Sequence, residues 1–168
     1  LPNHNTHYQS EVNLLLEGWL AQCSTMLKEG ALFLVDYGFP RAEYYHPERA
    51  QGTLMCHYRH TAHPNPLIHV GKQDITAHVD FTHVAEAADN AGFHIATYTN
   101  QASFLLAAGL PSLLETITNE HERINALQAV KQLLQPHEMG ELFKVIALTK
   151  NCAWSLDGFP LCDKRQSL

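Results

Sequence analysis

Asp36, Tyr37 and Gly38 close an apolar run, Ala31-Leu32-Phe33-Leu34-Val35. A short run with no alternation reads as a strand buried on both faces, the kind found in parallel sheets covered by helices. Ligands of open α/β sheets lie beyond the carboxyl ends of the strands. A carboxylate and a phenol at that end are therefore site candidates, able to exchange hydrogen bonds and protons. On the residues alone a second reading stands beside this one: Asp36 begins a turn, Tyr37 packs over the sheet edge, and Gly38 turns the chain at low steric cost. A second polar set lies in 74–81, where Asp74, Thr76, His78 and Asp80 alternate with Ile75, Ala77 and Val79. In an extended segment that alternation gives one apolar and one ionisable face, and Asp74 and His78 point the same way. Asp80 also suits a helix cap, because the helical positions Phe81, Val84, Ala85 and Ala88 follow it. Thr53 and Thr76 can equally satisfy backbone groups. Gln101 can cap or buttress, and His60 can be a buried hydrogen-bonding histidine.

The chain has 12 histidines, six of them between His57 and His83, which raises the question of a metal. His57, His60 and His63 are three apart and would share a helix face, but Pro64, Pro66 and the lack of apolar periodicity argue against a helix there. No H-E-x-x-H motif and no cysteine pair supports zinc, so no metal site is expected. A metal-dependent hydrolase built on the histidine-rich loop is the weakest of three readings. The formal net charge of −6 and scattered arginines give no grip on nucleic acid. No apolar run approaches the ~20 residues needed to cross a bilayer. Cys23, Cys56, Cys152 and Cys162 show no C-x-x-C spacing and read as reduced thiols of a cytosol-like compartment.

The elements that must position these residues alternate between helix and strand. Ser10 can cap a helix and Glu11 suits its first turn; Val12, Leu15, Leu16, Trp19, Leu20 and Cys23 recur at helical spacing, as a face packed on a sheet. The strand from Ala31 follows. Residues 39–73 are irregular, with only 52–58 as a short strand, and read as an ordered excursion over the carboxyl edge of the sheet. After the helix that follows Asp80, 93–99 is a second strand. Short helices at 101–108 and from Pro111, and a longer one marked by Ile124, Leu127, Val130 and Leu134, lead to a third strand at 142–149. Trp154 and Phe159 suggest that the tail packs down. The 168 residues thus read as one α/β domain: helix and strand units over 10–100, a helical insertion at 101–140, and a last strand and tail over 141–168. Three strands make a thin sheet, and no G-x-G-x-x-G or other glycine-rich cofactor turn occurs. The pattern is that of the second half of a doubly wound domain.

Several blocks, in order, carry a resemblance. They are Leu32-Phe33-Leu34-Val35-Asp36-Tyr37-Gly38, Gly52-Thr53-Leu54, Tyr58-Arg59-His60, the long block from Gly71 to Phe81, Thr99-Asn100-Gln101, and Met139-Gly140-Glu141-Leu142-Phe143-Lys144-Val145. The set resembles the MidA-like S-adenosylmethionine-dependent methyltransferases, a family that includes the mitochondrial complex I assembly methyltransferase, which modifies an arginine. The resemblance implies a class I, Rossmann-like methyltransferase sheet in which the strand at Ala31 is the fifth, 93–99 the sixth and 142–149 the antiparallel seventh. It implies S-adenosylmethionine as cofactor, bound by an upstream glycine-rich turn that this chain lacks, so that the chain alone is inactive and none of its residues is assigned to the cofactor. It further implies a protein substrate, such as a respiratory complex I subunit, and a location in the cytoplasm of a bacterium or the mitochondrial matrix of a eukaryote. An arginine acceptor calls for carboxylates, which bind the guanidinium fork and take up its proton. Asp74 and His78 are then the catalytic candidates. Asp36, Tyr37, Gly38, Thr53, His60, Thr76, Asp80 and Gln101 are the candidates for holding substrate. The alternative is a non-catalytic interaction or assembly module. A half-sheet exposes an unpaired edge, so a homodimer through that edge, or a tail that covers it, is expected.

Overall fold

The computed structural model describes residues 7–152 and 163–168. Trp154, Phe159 and Cys162 lie outside the described residues. The first helix, α1 (Leu16–Met26), starts later than its apolar spacing predicts. Ser10 caps nothing there, and Val12 and Leu15 stand in the open. The residue that overrides the helix is Glu11. Its carboxylate turns away to accept from the Thr53 and Leu54 amides and the Thr53 hydroxyl at 2.9–3.2 Å, which holds this stretch extended against the loop.

Strand β1 (Gly30–Phe39) pairs antiparallel with β7 (Phe143–Lys150) along its length, from Gly30 opposite Lys150 to Tyr37 opposite Phe143. Strand β6 (His94–Asn100) pairs antiparallel with the other edge of β7, through a bulge between Ile95 and Thr97. A short strand, β5 (Val79–Asp80), runs parallel to the end of β1, giving the order β5-β1-β7-β6. Gly38 does not turn the chain, as its composition suggested. It continues β1 and lies opposite Val79, where a Cβ would come within 2.1 Å of the Val79 carbonyl oxygen. The strand needs glycine there for close approach, not for a turn.

α1 and α3 (Phe81–Asn90) cover one face of this sheet. Leu20, Phe81, Val84, Ala88, Tyr98 and Ile146 form the centre of that core, with Leu32 and Leu34 of β1 packed against it. Side chains alternate across a strand, so Phe33 and Val35 point to the opposite face. They are 45% and 50% exposed. Phe104 meets the Phe33 ring edge-on at 5.9 Å, but the expected burial of β1 on both faces is not found. On β7, by contrast, the run from Val145 to Leu148 is buried throughout.

The stretch 39–73 contains more order than its sequence suggests. A short helix α2 (Arg41–Tyr44) and a 3-10 turn (Pro47–Arg49) are followed by β2 (Met55–Tyr58) and β3 (Thr61–His63). With β4 (Asp74–Thr76) these make an antiparallel sheet of order β3-β2-β4. The helical insertion comprises α4 (Gln101–Ala107), α5 (Leu110–Glu115), α6 (Glu120–Leu134) and a π-turn (Pro136–Gly140). Ile124 and Leu127 of α6 sit at helical spacing, as expected, but remain about half exposed.

Candidate functional site

Two cavities meet at the carboxyl end of β1. The first is a groove of about 710 Å³. Four consecutive residues of β1, Phe33 to Asp36, line it, so it follows the free edge of the strand rather than one face. Trp19, Tyr44 and Tyr45 supply aromatic walls, and Glu11, Asp36 and Asp80 supply carboxylates. The second cavity, of about 670 Å³, lies between the end of β1, the small sheet and the start of β7. Tyr37, Phe39 and Phe143 give it aromatic walls, and Arg49 and His57 are its other ionisable groups apart from His78. No carboxylate lines it.

The segment from Thr76 to Val79 is the wall between them. Ala77 and Val79 line the groove, Thr76 lines the second cavity, and His78 lines both. The alternation expected over 74–81 is kept only in part: Ala77 and Thr76 face different cavities, but Asp80 joins Ala77 and Val79 in the groove, His78 reaches both, and Ile75 is about half exposed. The wall is anchored at two points. Val79 docks on Gly38, and the His78 amide donates to the Thr53 hydroxyl oxygen at 3.0 Å, itself held by Glu11. The His78 ring meets Tyr37 and Phe39 edge-on, with centroids 5.5 and 5.1 Å away. Its Nδ1 is buried without a partner among the described residues. Burial, and then the Arg49 charge, push its pKa below the ordinary imidazole value, so the ring is neutral near pH 7. Burial raises the Glu11 carboxyl, but the donors from Thr53 and Leu54 outweigh it and the group titrates below the usual value.

The carboxylates of the groove differ in what already occupies them. Glu11 is spent on Thr53 and Leu54. Asp80 caps α3 through the His83 amide at 3.1 Å and lies 3.5 Å from Arg41, whose main partner is Glu86. Asp36 accepts from the Tyr37 amide at 2.8 Å and enters no ion pair among the described residues. It is the carboxylate left to meet a cation.

The remaining candidates fall elsewhere. Asp74 is exposed on β4, opposite His57, and lines neither cavity, so the structure does not bring it into one pocket with His78. Thr76 Oγ1 donates to the Met55 carbonyl at 3.2 Å. His60 is exposed at the tip of the β2–β3 hairpin. Gln101 is buried and donates to the Leu133 carbonyl at 3.0 Å, bracing α4 against α6. Reading the sequence alone missed Trp19, whose helical spacing suggested core, and Arg49, whose neighbours gave no signal. Among the described residues no cluster of His, Cys, Asp or Glu is placed to hold a metal ion, and no helix is long and apolar enough to cross a membrane.

Comparison with known proteins decides the family. A family profile described as "Putative S-adenosyl-L-methionine-dependent methyltransferase" matches residues 1–99. The chain belongs to this methyltransferase family. A solved protein of Burkholderia thailandensis, described as a "likely methyl transferase" and bound to S-adenosyl-homocysteine, is 44% identical with a TM-score of 0.91; the match covers 98% of this chain and 43% of that one. The native crystal structure of an uncharacterized protein of the same organism gives 45% identity and a TM-score of 0.90 over 96% of this chain and 44% of that one. The chain therefore spans less than half the length of these solved relatives. No curated protein matches it. The last strand of its sheet, β7, is antiparallel as a methyltransferase fold implies, and lies between β1 and β6.

The described residues do not complete a site for the family's cofactor. S-adenosylmethionine carries a carboxylate, yet no arginine or lysine lines the groove; of its two histidines, His83 is bonded through Nε2 to Glu17 at 2.7 Å, and burial disfavours the charged form of His78. No glycine-rich turn follows a strand here. The groove is walled by flat rings and carboxylates.

Proposed function

We propose that this chain is the acceptor-side part of a protein-arginine methyltransferase and is inactive until joined to the rest of the enzyme. The observation that carries the reading is Asp36: a carboxylate near the carboxyl end of β1, without an ion-pair partner among the described residues, in a groove walled by Trp19, Tyr44 and Tyr45. A guanidinium is planar and permanently charged; it pairs with a carboxylate through two parallel hydrogen bonds and stacks on aromatic faces. The groove offers both. Asp36 would orient the guanidinium, and the wall ending at Val79 would limit how it lies. Such positioning is the main contribution a protein makes to a displacement at a methyl group. The 44% identical relative that holds S-adenosyl-homocysteine, more than twice as long, supports the need for a further region.

The test is methyl incorporation into arginine peptides. The chain is assayed alone and fused behind the upstream region of the Burkholderia thailandensis relative. The fused enzyme is expected to methylate arginine, the chain alone to transfer nothing, and Asp36→Asn to lower kcat/KM of the fused enzyme ~100-fold, the scale of lost orientation and charge pairing. Methylation placed by mass spectrometry on lysine or a carboxyl group, or full activity in Asp36→Asn, would overturn the reading.

A further inference from the structure

We infer that the second cavity, walled by Tyr37, Phe39 and Arg49, receives an acidic side chain next to the arginine of the substrate polypeptide. This rests on the arginine reading above and extends it to sequence preference. The two cavities have opposite character. The groove is lined by three carboxylates and no arginine or lysine. The second cavity is lined by Arg49 and by no carboxylate. Arg49 is fixed rather than loose: its Nε donates to the Glu43 carbonyl at 3.0 Å and its guanidinium lies 4.0 Å over the Phe39 ring. It enters no ion pair among the described residues. Lys144 adds positive charge on the same ring, its Nζ 5.7 Å from the centroid. A braced guanidinium over an aromatic wall, in no ion pair among the described residues, is a ready receptor for a carboxylate.

The occupant is assigned to the same polypeptide because the cavities share a wall one segment thick. His78 lines both, and both the Arg49 and Asp36 charges act on it. An extended chain advances ~3.3 Å per residue and alternates its side chains. A strand of substrate crossing the wall would therefore place an arginine on the Asp36 side and a near neighbour on the Arg49 side. The charges would repel the inverse arrangement and penalise a basic neighbour.

Four peptides test this by fluorescence anisotropy with the chain: arginine or citrulline at the centre, flanked on both sides by glutamate or by glutamine. Replacing glutamate by glutamine is expected to weaken binding about tenfold, and Arg49→Gln to reduce that difference to less than twofold. The peptide changes need no altered protein, so the test survives if the variant folds poorly. If arginine matters and glutamate does not, this inference falls and the arginine reading stands. If glutamate matters and citrulline binds as well as arginine, the acidic site stands and the arginine reading falls. A glutamate preference that persists in Arg49→Gln, or no binding of any peptide, overturns the inference.

Discussion

His78 carries a conflict that can be measured. Its ring is half buried between Tyr37 and Phe39, with Arg49 and Lys144 opposing its protonation and Asp36 and Glu11 favouring it. Burial wins, and the folded pKa lies below the unfolded value of about 6.5. Unfolded chains then bind more protons than folded ones between the two values, so the stability His78 contributes is present above pH 6.5 and is lost as pH falls through the folded pKa. Denaturation curves from pH 7.5 to 5.5 are expected to show a steeper loss for the wild type than for His78→Gln; equal slopes would show that this ring is not the one that resists charge. Residue types disclosed His78, Asp36 and Tyr37 as candidates because ionisable groups stood at the edge of apolar runs. They could not disclose Glu11 or Arg49. The Glu11 partners lie 42 and 43 residues away, and local pattern says nothing about contacts of that range. The close approach that requires Gly38 is hidden for the same reason.

The small sheet turns on a pair of residues that ordinarily avoid the task. Arg59 and His60 join β2 to β3 as a two-residue connection, with φ of 47° and 65°. Positive φ at both centres marks the hairpin turn that Asn-Gly usually fills, because it matches the strand twist. A side chain in that region costs ~1–2 kcal/mol, and glycine returns ~0.5–1 of it as chain entropy. His60→Gly is therefore expected to stabilise by roughly 0.5–1 kcal/mol, raising Tm by about 1–4 °C and slowing amide exchange in β2 and β3; His60→Val should do the reverse. A lower Tm for the glycine variant would place the strain elsewhere. The same turn explains why β3 was not legible: without Asn or Gly, the sequence does not mark a hairpin. β1, α3, β6 and β7 were legible because each buries an apolar run or stripe in one core. The start of α1 was not, since Glu11 spends its carboxylate on the loop at Thr53 rather than on a first helical turn.

At the scale of the molecule the unfinished feature is the outer edge of β1. The strand is paired with β7 from Gly30 to Tyr37, but on its other side, among the described residues, only Gly38 and Phe39 have strand partners, in β5. Phe33 and Val35 stand half exposed on the face beside that edge, and Val12 and Trp19 add apolar surface along the groove. The helix–strand alternation and the missing glycine turn had suggested half of a doubly wound sheet, and the solved relatives are more than twice as long. Unpaired amides and carbonyls flanked by apolar side chains recruit another strand, and the strand present at highest concentration is β1 of a second copy. Sedimentation of the chain is expected to show association that rises with concentration. Val35→Lys should suppress it, because a charge on an edge strand is costly to bury against a second copy but not against water. With Val35 already half in solvent, the same substitution should leave the Tm of the monomer within a few degrees of the wild type. A concentration-independent monomer, or association unchanged by Val35→Lys, would show that β1 is not the contact.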